Sequence, residues 1–327
     1  MRRGSERRRL RCLTWRCGLV AASLLVAGGL AFAEWPDRPI TFMVPFGPGG
    51  TTDVISRSLM SDLASSLGQP VLVLNRPGAQ GTVFAKLLAQ ARPDGYSLGL
   101  LTSAIGNWQF ISDNPPALKD FSVVACFGRV PFALVVRADS PIQDVSDLIA
   151  LAKTKGSINF GSPGPSSTLP MLLLGEKAGL RFVTVNFHSG TEVISALLGG
   201  HVDAVMQNPP DILAHVKTGK LRVLAVASAN RLHDLPAVPT FAELGFNINT
   251  DVYVGVGAPA NLPESIRLRL ETEILKIAST LAFQTRLRGT FGIEPAALSG
   301  EQYHQVIQRT VEATNTVGPQ FRSQAKQ

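Results

Sequence analysis

Apolar positions along the chain switch between two spacings. Ile40 to Pro45 and Val71 to Leu74 are short β-branched and apolar runs, the pattern of strands. Between them Ile55, Leu59, Leu63 and Leu67 recur every fourth residue, which predicts a helix over Thr52 to Leu67, capped by Gly68. Asn75-Arg76-Pro77-Gly78 predicts a turn, Val83 to Ala91 a helix, Pro93-Asp94-Gly95 a second turn and Tyr96 to Leu101 a strand. A β-α-β-α-β alternation of this kind predicts a largely parallel sheet with helices on both faces.

Val130 to Val136 reads as a strand and Asp139-Ser140-Pro141 as a turn. The alternation then restarts. Helices are predicted over Val145 to Lys153, Leu169 to Ala178 and Glu192 to Leu198. Strands are predicted over Ser157 to Phe160, Val183 to Phe187, Val202 to Met206 and Leu221 to Ser228, and an extended apolar run over Val252 to Gly257. Past Pro263 only helices are predicted, over Glu264 to Leu281, Phe283 to Arg288 and Gly300 to Thr316. A chain end with helices but no strands has no sheet of its own and is expected to pack back on the first half. The chain then crosses twice between halves, near residues 136 and 251, and two extended crossings make a hinge. The expected fold is α/β, a two-lobe binding-protein architecture with each lobe a mostly parallel sheet flanked by helices. The first lobe takes residues 34–135 and 252–327, the second residues 136–251.

Residues 1–33 change the reading of composition. A basic head holds seven arginines, an apolar run spans Leu19 to Leu30, and Ala31-Phe32-Ala33 supplies small residues before a cleavage point. This order is that of a secretory signal. Its apolar stretch is short against the roughly 20 residues of a membrane span. Arg7-Arg8 leaves a twin-arginine route open beside the general one. Removal of this segment leaves 24 basic and 23 acidic side chains, a net charge of +1, so nearly all of the formal net charge of +7 belongs to the leader. Nothing then argues for nucleic acid or an anionic membrane as partner. Two of the three cysteines leave with the leader. Cys126 alone cannot form an internal disulfide and reads as a small buried hydrophobe.

Two segments share a chemical pattern. Strand Ile40–Pro45 runs into Phe46-Gly47-Pro48-Gly49-Gly50-Thr51-Thr52-Asp53 and a helix. Strand Ser157–Phe160 runs into Gly161-Ser162-Pro163-Gly164-Pro165-Ser166-Ser167-Thr168 and a helix. A helix start offers unpaired N–H groups and a partial positive charge; glycine admits close approach and hydroxyls add donors. Each segment is therefore a candidate anion cradle at the carboxyl end of a strand. The candidate ligand-binding residues are Phe46, Gly49, Gly50, Thr51, Thr52, Gly164, Ser166, Ser167 and Thr168. Thr102 and Ser103, which end a strand, His188, which follows one, and Gln207, before Asn208-Pro209-Pro210, join them. Two cradles facing across a cleft suit a ligand with an anionic group at each end. His201 and Asp203 have no third metal ligand nearby. No G-x-S-x-G, Walker, G-x-G-x-x-G or C-x-x-C motif occurs, so no cofactor, metal or catalytic residue is expected.

The chain resembles the Bug family, the TctC-type periplasmic receptors of tripartite tricarboxylate transporters. The resemblance spans essentially all of the chain after the leader. It rests on Trp35-Pro36-Asp37-Arg38-Pro39-Ile40, Val44 to Asp53, Leu67-Gly68-Gln69-Pro70-Val71 and Asn75 to Ala79. It rests also on Pro93-Asp94-Gly95-Tyr96, Leu197-Leu198-Gly199-Gly200 with Val202-Asp203, and Gly219 to Arg222. The family implies a monomeric Venus-flytrap receptor that holds a carboxylate by loop amides and waters and hands it to membrane permease subunits. Gln207 stands where members commonly carry an acid, which makes an amino-acid ligand less expected. Pro163 and Pro165 stiffen the second loop. Two other readings use the same residues. One is an exported α/β hydrolytic enzyme working through Ser166, Ser167 or His188; the other is the ligand-binding component of a sensor.

Overall fold

Alternation in β1 (Ile40–Val44) sends Ile40, Phe42 and Val44 to one face, where all three are fully buried. The fourfold stripe of α1 (Thr51–Leu67) is likewise buried, and the helix packs on β1 and on β2 (Val71–Asn75). These elements belong to a computed structural model that describes residues 35–49, 51–110, 112–187 and 189–318. The described residues from Arg38 onward form one compact unit. The leader and its cleavage point lie outside the described residues. Among those residues no helix is long and apolar enough to cross a membrane.

Within residues 38–327 the strands form two sheets. After α2 (Thr82–Ala89) comes β3 (Ser97–Thr102), which pairs with β1 in parallel, as β2 does on the other side. Residues 103–110 form a 3-10 segment, followed by β4 (Phe121–Val130). The second sheet is built from β5 (Ala133–Arg137), β6 (Ile158–Ser162), β7 (Phe182–Asn186), β8 (Ala204–Gln207) and β9 (Leu221–Val226), in the order β7-β6-β8-β5-β9. Its helices are α3 (Val145–Lys155), α4 (Pro165–Ala178), α5 (Gly190–Leu198) and α6 (Pro209–Lys217). The chain then returns through β10 (Val252–Pro259), α7 (Glu264–Ala278), α8 (Leu281–Phe291), β11 (Glu294–Ser299) and α9 (Gly300–Thr316). The first sheet has the order β11-β4-β10-β3-β1-β2.

Both sheets are mixed rather than mostly parallel. β10 runs antiparallel to β3 and β4, β11 antiparallel to β4, and β5 antiparallel to β8 and β9. The reason lies in the crossings. A strand entering from the other sheet has no helical crossover to turn it around, and helical crossovers are what make neighbours parallel. The chain end also carries a strand: β11 closes the edge of the first sheet, although Glu-Pro-Ala-Ala-Leu-Ser has little β character. The predicted strand Val130–Val136 is two strands parted at Pro131, which cannot donate to a ladder. Pro209 and Pro210 open α6, where missing N–H groups cost nothing.

β5 explains why the second half holds together. Phe132, Leu134 and Val136 enter one core with α3 and α4, while Ala133 and Val135 enter another with α5 and α6. Burial on both faces is what its unbroken apolar run encodes. Val317, just past α9, joins the first of these cores, so the chain end touches the second sheet. In the first sheet Tyr303 of α9 is fully buried, and its hydroxyl donates to the carbonyls of Leu101 (2.7 Å) and Tyr253 (3.2 Å). Gly255 makes room for that ring: a Cβ there would lie 2.3 Å from the Ala125 carbonyl and 2.4 Å from Tyr303 Cε1.

Candidate functional site

The first loop is organised by a residue the sequence reading left out. Asp53, in the first turn of α1, is buried. Its Oδ2 accepts from the Gly49 N–H (2.9 Å) and from Arg57 Nε (3.0 Å), and its Oδ1 accepts from Asn75 Nδ2 (2.9 Å). The Asn75 amide donates also to the Phe46 carbonyl (2.9 Å). The Arg57 guanidinium foremost, with the Gly49 N–H and the Asn75 amide, holds the Asp53 carboxyl down at a pKa of about 2, against the effect of burial. Gly49, at φ +82°, thus spends its N–H on Asp53. Phe46 is exposed, and Thr52 is half-buried with its carbonyl accepting from Ser56 Oγ (2.6 Å). Gly50 and His188 lie outside the described residues, as does the side chain of Thr51.

The second loop turns most of its hydroxyls inward. Ser162 ends β6 fully buried. Its Oγ lies 2.6 Å from Ser167 Oγ and accepts from Thr168 Oγ1 (2.7 Å) and from the Gly164 N–H (3.1 Å). Ser167 and Thr168 reach the Gly164 carbonyl with both hydroxyl and backbone N–H. Pro165, the first helical residue, has no N–H. Ser166 is what remains. It is half-buried, and its backbone N–H finds no partner among the described residues. Its hydroxyl accepts from Asn107 Nδ2 at 3.4 Å.

Asn107 comes from the other sheet, from the 3-10 segment after β3. This is a direct polar contact between the 3-10 segment that follows β3 in the first sheet and the second candidate loop. A methyl on Gly81 would lie 3.3 Å from Pro45 Cβ and 3.7 Å from Trp108 Nε1, so the base of the first loop adjoins the same segment. Neither Asn107 nor Asp53 follows from the pattern of the sequence. The Asn107–Ser166 pair spans 59 residues and only folding brings it together. An acid at the third position of a helix is the one local signal for Asp53.

The remaining candidates divide. Gln207 is buried at the end of β8 and presses on α5: a Cβ on Gly190 would lie 2.3 Å from its Nε2. The next residue, Asn208, leaves its Oδ1 buried without a partner among the described residues. Thr102 is half-buried and pairs with Val254. Ser103 serves the crossing, not a loop. It is fully buried, its Oγ accepts from the Tyr253 N–H (3.0 Å) and donates to the Asp251 carbonyl (3.4 Å). Asp251 there binds Arg129 of β4 (2.5 Å) and the hydroxyl of Ser228. Burial raises its pKa against the pull of Arg129. Cys126 is buried and its thiol pushed up to about 12, first by burial, which makes it inert. No cluster of metal-binding side chains occurs among the described residues.

The comparisons bear on family and fold. Residues 55–319 match the family model described as tripartite tricarboxylate transporter family receptor, TctC. A Cupriavidus necator protein, UPF0065 protein in gbd 5'region, is 33% identical over 92% of this chain and 94% of its own. Protein BugT of Bordetella pertussis is 36% identical over 70% of this chain and 72% of its own. Among solved structures, a TctC solute-binding protein from Polaromonas superposes with a TM-score of 0.80 at 28% identity, covering 87% of this chain and 99% of that one. An R. palustris protein with adipate gives 0.71 at 28% identity, with 87% and 99% covered. MatC of Rhodopseudomonas palustris with bound malate gives 0.68 at 26%, with 88% and 99% covered. The family is described as one of transporter receptors, and the Polaromonas protein as a solute-binding protein.

Proposed function

The chain belongs to the TctC family of tripartite tricarboxylate transporter receptors, and from that premise we propose that it captures a small carboxylate outside the cytoplasm and delivers it to membrane permease subunits of that transporter type. In this reading residues 1–33 are a cleaved signal and the receptor works in the periplasm as a monomer. Residues 34–135 with 252–327 form one lobe, residues 136–251 the other, and closure on the ligand is the signal the permease reads. The observation that carries it is the Asn107–Ser166 contact, which supports a site shared by segments that follow a strand of each sheet. The polarity of the site supports an anion: helix α4 presents its N-terminus through Ser166, and Asp53 is already neutralised by Arg57. The adipate and malate of the structural neighbours support the carboxylate class.

Phe46, Gly49 to Thr52, Thr102, Gly164, Ser166 to Thr168, His188 and Gln207 line the ligand in this reading. Ser103 then contributes through the crossing it fixes. The test is thermal unfolding of the protein purified from the periplasmic fraction, against mono-, di- and tricarboxylates, aromatic acids and amino acids. A ligand at 100 times its Kd adds about 2.7 kcal/mol, a rise of several degrees. Stabilisation by one carboxylate alone is expected. Stabilisation by amino acids or uncharged compounds, with none from any carboxylate, refutes the anion reading.

A further inference from the structure

Asn107 stands apart from every other side chain at the site. It is 6% exposed, Nδ2 reaches Ser166 Oγ at 3.4 Å, and Oδ1 is sealed from solvent without a partner. A side-chain amide has two N–H donors and an acceptor with two lone pairs. Here one long hydrogen bond uses one donor and leaves the acceptor empty. Folded proteins seldom leave such a group unpaired, and an exception calls for a cause.

The surroundings show what is missing. Ser166 offers an N–H with no partner among the described residues, at the N-terminus of the 14-residue α4, and a hydroxyl. Those groups favour an acceptor such as a carboxylate oxygen. Asn107 Oδ1 beside them favours a donor. Ser162, Ser167 and Thr168 cannot supply it, because their hydroxyls are committed to one another and to Gly164. A plain dicarboxylate presents acceptors only. A carboxylate carrying a hydroxyl on the adjacent carbon presents both kinds of group within one small fragment.

We propose that Asn107 is a specificity-determining residue, which with Ser166 selects 2-hydroxy carboxylates over their deoxy analogues. Binding parts the Asn107–Ser166 contact. The ligand carboxylate takes the Ser166 N–H and hydroxyl, and the ligand hydroxyl donates to Asn107 Oδ1. This rests on the receptor reading above and adds to it the feature that the ligand must carry. A site built to pair a polar group discriminates against the analogue lacking it, because the group is then left buried and unpaired.

The test is calorimetric titration of the purified protein with two matched pairs, malate against succinate and 2-hydroxyglutarate against glutarate. The hydroxylated member of a binding pair is expected to bind about tenfold more tightly. Asn107→Leu, which keeps the volume and removes both polar atoms, is expected to bring that ratio to about one by weakening the hydroxylated member the more. Ser166→Ala is expected to weaken both members of a pair alike and preserve the ratio. An unfolding transition like that of the unmutated protein shows that Asn107→Leu is folded. If the variant is unfolded, Asn107→Asp replaces it, which retains an acceptor but repels the carboxylate and should weaken both members more than tenfold. A ratio near one in the unmutated protein, or a ratio that survives Asn107→Leu, overturns the inference and leaves the receptor reading standing. Binding of no carboxylate from either pair, with amino acids bound instead, overturns the receptor reading and this inference with it.

Discussion

Asp53→Asn tests whether the first loop is a frame held by one ionised carboxylate. Both carboxylate oxygens face donors: Oδ2 the Gly49 N–H and Arg57 Nε, Oδ1 the Asn75 amide and, at 2.9 Å, the second nitrogen of Arg57. An asparagine must turn its NH2 toward donors in either orientation, so a buried conflict replaces a charge-assisted network. Breaking a buried ion pair costs about 3–5 kcal/mol. Arg57 is half exposed and is rehydrated when its partner goes, which lowers the expected cost to about 2–3 kcal/mol. For a unit of this size that is a fall of roughly 3–5 °C in Tm. The pH dependence separates charge from shape. The Asp53 pKa is lowered from 3.8 to about 2. Its contribution is therefore complete above the unfolded value and is lost as pH falls through the folded one. Urea unfolding of both proteins from pH 7 to pH 3 should show a gap constant down to about pH 4.5 and narrowing by roughly 1 kcal/mol by pH 3. A gap below about 0.5 kcal/mol at pH 7, or one that does not narrow in acid, refutes the reasoning.

Three further outcomes follow from the geometry. Ser162→Ala strips the hydroxyl that Ser167 and Thr168 share at the base of the second loop, and should cost about 1–3 kcal/mol in chemical denaturation. Gly190→Ala drives the Gln207 amide from its place, since the new Cβ would lie 2.3 Å from Nε2; titration should show about tenfold weaker ligand binding with stability lowered by less than about 1 kcal/mol. Arg129→Met strands Asp251 in the crossing and should cost about 3 kcal/mol at pH 7. The folded pKa of Asp251 is already raised and rises further, so that variant gains stability as pH falls from 7 toward 4, seen as a rising urea midpoint.

What could be read from the sequence was whatever a single segment encodes. The fourfold stripe of α1 and the strand runs of β1 and β6 were legible because burial shapes them directly, and β2 was legible from its apolar, β-branched run. β4 was not read, although it runs from Phe121 to Val130, because buried on both faces it shows no alternation. β11 was not read because Glu294–Ser299 has no strand propensity of its own and forms only along the free edge of β4. Strand direction was misread because parallel pairing was extended to strands that arrive through a crossing rather than a helix. At the site, the Gly/Pro loops were visible as composition. What each hydroxyl does there was not, because Ser103 is spent on Tyr253 and Asp251, far away in sequence.

That last point changes how the cradles work. A loop rich in Ser, Thr and Gly suggests many donors waiting for an anion. Instead Gly49, Ser162, Ser167 and Thr168 are engaged with the protein itself. They make the loops stiff, and stiffness lowers the entropy lost on binding. In the proposed site the groups left for a ligand are few, chief among them the Ser166 N–H and hydroxyl and the Asn107 carbonyl oxygen. Frame and reader are thus different residues. Changes to Asp53 or Ser162 should move stability and leave ligand preference alone, because the groups that read the ligand stay in place. Changes to Asn107 should do the reverse, since its one side-chain hydrogen bond is long and its Oδ1 has no partner. Divergence in what such receptors bind then needs few substitutions and no change of fold, which fits neighbours of one architecture solved with adipate and with malate.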